Sequence, residues 1–200
     1  RDSNTTIDVN LESSQADLHY RAGVEDANSR RYRQARTHFD DVLSKSPAHH
    51  RSLIASAELS LRTGAYQQGL SEIFRALEID AYDAMANFIA ANLHRALGDL
   101  VSAKETLGWA ERSMQFRSAA NTQLGEIALF EGHLREAIHF AQRALDYDRR
   151  NISALQVLSL AYRDLEQPTN FAEVIDRILA IDPLNFLSLI HISEPTRLSL

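Results

Sequence analysis

The chain has 200 residues, of which 21 are Lys or Arg and 27 are Asp or Glu, so its formal net charge is −6. This acidic balance, without a basic patch the size of a nucleic-acid footprint, argues against nucleic acid as the partner. The absence of cysteine excludes a disulfide framework and a thiolate metal site. No apolar run reaches the ~18 residues that a membrane-spanning helix needs. Cysteine content does not indicate the cellular compartment, and a cytoplasmic location is expected.

Residues 1–15 are polar, with Ile7, Val9 and Leu11 as their apolar members. This composition predicts a polar linker that follows an unseen upstream domain. Ser14 and Asp17 have the spacing of a capping box, in which a hydroxyl and an acid satisfy the first N–H groups of a helix. The first helix is therefore predicted to begin at Ala16.

From residue 16 to residue 186 the sequence repeats with a period of 34 residues, and the repeats begin at Ala16, His50, Ala84, Ser118 and Ile152. Apolar residues recur at spacings of three and four within each half of a repeat, which predicts two helices per repeat. The helices are expected over residues 16–29, 32–45, 50–63, 66–79, 84–97, 100–113, 118–131, 134–147, 152–165 and 169–181.

Small residues recur at two positions of the repeat, which indicates places where two helices must approach closely. Position 8 carries Gly23, Ala57, Ala91, Gly125 and Ser159, and position 20 carries Ala35, Gly69, Ala103, Ala137 and Phe171. Position 15, between the two predicted helices, carries Gly64, Gly98 and Gly132. Glycine there suits a tight turn, because it adopts backbone angles that other residues avoid.

Five repeats in one register, with small residues at positions 8, 20 and 27 and large apolar ones at 17 and 24, resemble the tetratricopeptide repeat family. The resemblance covers about 170 residues of the chain. Pro168 and Phe171, at positions 17 and 20 of the fifth repeat, depart from the pattern and predict a distorted turn there. Otherwise the resemblance implies an all-α fold: a right-handed superhelical solenoid of five antiparallel helix pairs, with a sixth pair truncated at its start.

The last fourteen residues are predicted not to belong to the native protein. Leu187 to Arg197 match, in frame, the translation of a transposon adapter that is used to build sequencing libraries. Residues 187–200 are therefore excluded as an adapter-derived tail. The chain is interpreted as a fragment, and the excess of Arg over Lys favours a bacterial source.

Enzymatic chemistry is not expected. The chain has no phosphate-binding loop, no nucleophile elbow and no zinc-protease motif. His49 and His50 adjoin but lack a third metal ligand at a usable spacing. Glu58 and Glu126 are two repeats apart, so we expect them about 20 Å from each other, whereas a glycosidase pair needs roughly 5–9.5 Å. We predict no catalytic residues, no metal site and no cofactor.

The resemblance implies a protein–protein interaction scaffold that binds a peptide or partner helix in a concave groove lined by the first helix of each repeat. It assigns the groove to positions 2, 5, 9, 12 and 13. Apolar side chains with polar neighbours along such a groove suit an extended or helical peptide. The predicted groove residues are Tyr20, Ile54, Glu58, Met85, Phe88, Asn92, Arg95 and Glu126.

A second function remains open. Residues 116–120 and 182–185 resemble the repeat region of large bacterial proteins whose upstream part is a β-sandwich similar to sugar mutarotases. This resemblance implies an accessory region of a larger, carbohydrate-active enzyme. The oligomeric state is not indicated by the sequence.

Overall fold

The computed structural model describes residues 2–185, with side chains from residue 15 to residue 184. The described part is all-α. Its helices are α1 (Asp2–Asn28), α2 (Tyr32–Lys45), α3 (His50–Thr63), α4 (Tyr66–Ile79), α5 (Ala84–Ala96), α6 (Leu100–Ala110), α7 (Arg117–Phe130), α8 (Leu134–Tyr147), α9 (Ile152–Asp164) and α10 (Pro168–Ile181), followed by a 3₁₀ turn, Pro183–Asn185. The predicted helix pairs are thus present in each repeat.

The chain forms two compact units, with the boundary between Trp109 and Ala110. The first unit contains α1 to α5 and nearly all of α6. In it α1 packs on α2 and α3 on α4, and the first helices of successive repeats, α1, α3 and α5, contact their neighbours in turn. In the second unit α7 packs on α8 and α10 on α9, and α7 contacts α9. Each unit therefore has one layer of first helices, called A helices below, and one of second helices, called B helices.

Local signals explain where several helices begin. The last position of a repeat supplies the N-cap of the next A helix: Asp83 Oδ1 accepts from Ala86 N at 2.8 Å, and Asn151 Oδ1 accepts from Ala154 N at 3.0 Å. These bonds satisfy backbone donors that have no partner inside the helix.

The turn between the two helices of a repeat has a left-handed residue at position 15. Gly64, Gly98 and Gly132 have φ of 79°, 80° and 78°. In the first and fifth repeats the same position is held by Arg30 at φ 59° and Glu166 at φ 55°. The fifth repeat therefore uses the same turn as the others, and Pro168 occupies the first position of α10, where proline is well tolerated.

The small residues at positions 8 and 20 lie at the closest helix contacts. A Cβ atom added to Gly23 would lie 2.6 Å from Phe39 Cε1, and one added to Gly69 would lie 2.8 Å from Leu93 Cδ2. At Gly125 it would lie 3.3 Å from the carbonyl oxygen of Ala137. The alanines at these positions are fully buried, namely Ala35, Ala57, Ala91, Ala103 and Ala137.

The first helix begins earlier than predicted. α1 starts at Asp2 rather than Ala16, so the expected capping box at Ser14 and Asp17 is wrong. Residues 2–15 contain neither proline nor glycine, so nothing in the local sequence stops the helix from extending. That residues 1–15 connect to another domain stays a prediction.

The B helix of the third repeat ends earlier than predicted, at Ala110 instead of Ser113. The other four repeats have leucine at position 28, one residue after the buried position 27, but in the third repeat position 28 is Glu111. Its carboxylate lies 3.5 Å from the guanidinium of Arg143. A charged residue at a position that elsewhere packs in the core is the sequence signal for this early end.

The tail at 187–200, predicted to derive from an adapter, lies outside the described residues.

Replacing Gly23 with alanine is expected to destabilise the protein by about 1–3 kcal/mol, because the new methyl group would overlap the ring of Phe39, which is 1% exposed. Urea unfolding measures the change. Gly108→Ala is the matched control, because there is open space around the added methyl group. It should raise the free energy of unfolding by about 0.5–1 kcal/mol, the usual effect of replacing a helical glycine with alanine. Equal effects at both positions would contradict this account of the packing.

Glu166→Gly is expected to raise the free energy of unfolding by about 0.5–1 kcal/mol, because glycine adopts a positive φ without the steric cost that a side chain carries. Thermal and urea unfolding test it. Glu166→Ala removes the same carboxylate but keeps a Cβ atom, so it should bring no such gain.

Candidate functional site

The A-helix face of the first unit is the surface that the predicted groove residues define on α1, α3 and α5. Tyr20 lies on α1, Ile54 and Glu58 lie on α3, and the other first-unit residues of the set lie on α5. Tyr20, Glu58 and Phe88 are half-buried, and Met85 at the start of α5 is 43% exposed. Asn92 and Arg95 are half-buried on α5. This face combines apolar and polar side chains that are partly accessible.

Ile54 was predicted to be exposed in the groove, and that is wrong: only 7% of the residue is accessible. It belongs to the core cluster that joins α3, α4 and α5, together with Leu53 and Ile89. Phe88 occupies the same repeat position on α5 but remains half-buried. The difference arises because the neighbouring helices enclose position 5 of the second repeat.

Glu126 lies on α7, in the second unit, where it is half-buried. It is therefore not part of the A-helix face, which α1, α3 and α5 of the first unit form. Its role in partner binding stays a prediction.

Tyr20 is held by cationic and aromatic neighbours. The guanidinium carbon of Arg51 lies 5.3 Å from the centre of its ring, and the ring of His49 lies 5.9 Å away. A cation over an aromatic ring is attracted by the negative charge of the ring face. Arg51 also lies 3.8 Å from Asp17. These contacts restrict the orientation of Tyr20 at one end of the face.

A small pocket opens between α1 and α3, lined by Val24, Ala27, Asn28, Phe39, Ala55, Glu58, Leu59 and Arg62. On α3, Arg62 donates a hydrogen bond of 2.5 Å to Glu58. Val24 and Ala55 supply apolar walls, while Asn28 is exposed. The pocket has room for one small apolar group, with an ion pair and an amide beside it.

Two histidines of the first unit have defined contacts within the fold. His49 is the N-cap of α3, where its Nδ1 accepts from Ser52 N at 3.2 Å. His94 is 8% exposed, with Nδ1 3.3 Å from Asp99 and its ring 5.9 Å from Phe74. Over the described residues, no group of three or more His, Asp or Glu side chains has a geometry that would hold a metal ion.

Carboxyl groups with shifted pKa values lie outside the A-helix face. The hydrogen bond from Lys45 lowers the pKa of Asp41 and outweighs the opposing effect of desolvation. Burial raises the pKa of Asp40, an effect that Arg36 partly opposes. Hydrogen bonds from Ser102 lower the pKa of Asp99. These shifts follow from packing and hydrogen bonding within the repeats.

Sequence reasoning missed a buried ion pair in the first unit. Arg36 of α2 donates to Glu72 of α4 at 2.7 Å, and Glu72 is 7% exposed. Ser56 and Ser60 of α3 complete the network: Arg36 donates to their hydroxyl oxygens at 2.5 and 2.7 Å, and they donate to Glu72 at 3.0 and 2.9 Å. The sequence did contain a signal for this network. The repeat positions of Arg36, Ser56, Ser60 and Glu72 carry apolar residues or tyrosine in the fourth and fifth repeats, namely Ile138, Leu158, Tyr162 and Val174.

Arg36→Ala is expected to destabilise the protein by about 3–5 kcal/mol, because it leaves the Glu72 carboxylate buried without its cation. Urea unfolding at neutral pH measures the loss.

Replacing all four network residues should restore most of that stability, because no buried charge then remains. The fourfold variant takes the residues of the fourth and fifth repeats: Arg36→Ile, Ser56→Leu, Ser60→Tyr and Glu72→Val. A fourfold variant less stable than Arg36→Ala would show that packing, rather than the uncompensated charge, dominates the cost.

None of the described helices is long and apolar enough to cross a membrane.

A family model described as tetratricopeptide repeat matches residues 20–86 and 122–186. A comparison with curated protein sequences gave no match.

Several solved structures are similar in fold. PilF of Pseudomonas aeruginosa superposes with a TM-score of 0.81 at 16% identity, over 90% of this chain and 82% of that one. MamA gives a TM-score of 0.74 at 15% identity, with coverage of 88% and 96%. YrrB, described as a TPR protein with an unusual peptide-binding site, gives 0.71 at 17% identity, with coverage of 96% and 97%. None of these similarities concerns a mutarotase-like protein, so that resemblance stays a prediction.

Proposed function

Because the chain belongs to the tetratricopeptide repeat family, whose fold is typical of protein–protein interaction, we propose that it binds a peptide on the A-helix face of its first unit. The observation that carries this proposal is the pocket between α1 and α3, which opens on that face. It accepts one small apolar side chain of the partner. YrrB is described as having a peptide-binding site, which supports a peptide as the partner class.

The face offers more than one point of contact. Tyr20, Phe88 and Met85 provide apolar area along α1 and α5, while Asn28 and the Glu58–Arg62 pair provide polar groups near the pocket. Apolar anchors with a few polar groups beside them are the usual composition of a peptide groove. A bound peptide would place an apolar residue in the pocket and run across α3 toward α5.

The proposal is tested with peptides selected from a random library displayed on phage, using the whole chain as bait. Val24→Arg fills the pocket with a long charged side chain, and Phe88→Ala removes an anchor on α5. The double variant should weaken the selected peptides at least about tenfold, which fluorescence anisotropy measures.

Val101→Arg is the control, since Val101 is 76% exposed on α6, a B helix. It should leave binding unchanged, and all variants should retain the helical circular dichroism of the parent. Peptides that bind the double variant as tightly as the parent, or lose affinity on Val101→Arg alone, would place the binding surface elsewhere.

A further inference from the structure

A second cleft lies in the other unit, between α8 and α10. Its volume is about 490 Å³, within the range of small-ligand sites. Leu145, Leu158 and Val174 form its floor and are 6%, 2% and 4% exposed. We call it the B-helix cleft, since α8 and α10 are the B helices of the fourth and fifth repeats.

The polar residues around the B-helix cleft are ordered along its length. Short loops join α8 to α9 and α9 to α10, so α8 and α10 run in the same direction. One end carries the amides of Gln142 and Asn170, the middle carries the carboxylates of Asp146 and Glu173, and the other end carries the guanidinium groups of Arg149 and Arg177. From Gln142 to Asp146 on α8, and along α10, successive residues are about one helical turn apart, roughly 5 Å, while Arg149 lies two residues beyond the end of α8.

The four charged side chains have no partners of their own. Within residues 15–184, Asp146, Arg149, Glu173 and Arg177 form no ion pair, and their side chains make no hydrogen bond. All four are exposed. Two unpaired cations at one end of a cleft favour an anionic group there, and two unpaired carboxylates in the middle favour a cationic one.

The equivalent cleft of the first unit, between α2 and α4, is filled by the chain itself. Arg36 extends over α3 to Glu72, whereas Ile138 stands at the same repeat position on α8. Arg75 donates to the carbonyl oxygen of Pro47 at 2.6 Å, whereas Arg177, at the same repeat position, has no such bond. In the first unit the Arg36 guanidinium lies on Ser56, Ser60 and Glu72. The second unit has Leu158, Tyr162 and Val174 at those positions, so its cleft is open and has an apolar floor that suits the aliphatic part of a side chain.

We propose that the B-helix cleft binds a peptide segment in which a carboxylate adjoins a basic side chain. The carboxylate binds between Arg149 and Arg177, where bidentate hydrogen bonds are available. The aliphatic part of the basic side chain lies on Leu158 and Val174, and its charge lies beside Asp146 and Glu173. The amides of Gln142 and Asn170 bind main-chain groups of the same segment. This site is separate from the A-helix face and does not rest on it.

Nuclear magnetic resonance titration of the isotope-labelled chain tests the proposal with synthetic peptides. The probes are acetyl-Ala-Ala-Lys with a free terminal carboxylate, its C-terminal amide, and acetyl-Lys-Ala-Asp amide, whose carboxylate is on a side chain. At least one carboxylate probe should give saturable shifts in residues 142–149 and 170–177 at millimolar concentration. For each carboxylate probe that binds, the matching peptide without that carboxylate should bind about tenfold more weakly: the C-terminal amide for the first probe, and acetyl-Lys-Ala-Asn amide for the second. The two carboxylate probes distinguish a terminal from a side-chain source.

Arg177→Gln should weaken binding of the carboxylate probe about tenfold, whereas Arg75→Gln, the matched change in the first unit, should not alter it. Acetyl-Ala-Ala-Ala with a free carboxylate should bind more weakly than the lysine peptide. Equal binding by a bound probe and its carboxylate-free match, equal binding by the alanine peptide where the lysine peptide binds, no effect of Arg177→Gln, or the absence of saturable chemical-shift changes in the cleft with both carboxylate probes would each overturn the proposal.

Discussion

The close approach of helices at the small repeat positions is the constraint on which the rest of the structure depends. At Gly23, Gly69 and Gly125 there is no room for a further methyl group without movement of a neighbour. A residue no larger than glycine or alanine at such a position allows two helices to approach closely, within a repeat at Gly23 and between repeats at Gly69. The surfaces formed by the A helices and by the B helices are both built on these contacts.

The clefts between B helices show how one backbone arrangement takes two kinds of core. In the first unit Arg36, Ser56, Ser60 and Glu72 form a hydrogen-bonded ionic network, while the second unit has apolar residues and a tyrosine at the same positions. A buried ion pair is weak evidence of added stability, because desolvation opposes the attraction. Its clearest consequence here is that it closes one cleft with the chain's own side chains, whereas the other is open.

Much of the fold was predictable, because the relevant signals repeat. The glycines of the turns and the buried alanines are in the predicted places, since each depends on contacts within or between adjacent helices that recur every 34 residues. Predictions failed where a single repeat departs from the pattern. Polar composition did not reveal that α1 begins at Asp2, and Glu111 marks the early end of α6. Of the predicted surface residues, Ile54 proved buried, although its repeat position is that of Phe88.

The sequence by itself determined the repeat length, the helix pairs and the small residues at their contacts, because periodicity and local turn chemistry are properties of short segments. Only the tertiary structure decided which polar residues meet. Arg36 and Glu72 are 36 residues apart and belong to two different repeats, so their pairing depends on how helices from both repeats are placed. The same holds for the cleft between α8 and α10, whose lining comes from three helices, because a surface made by several helices has no signature in any one of them.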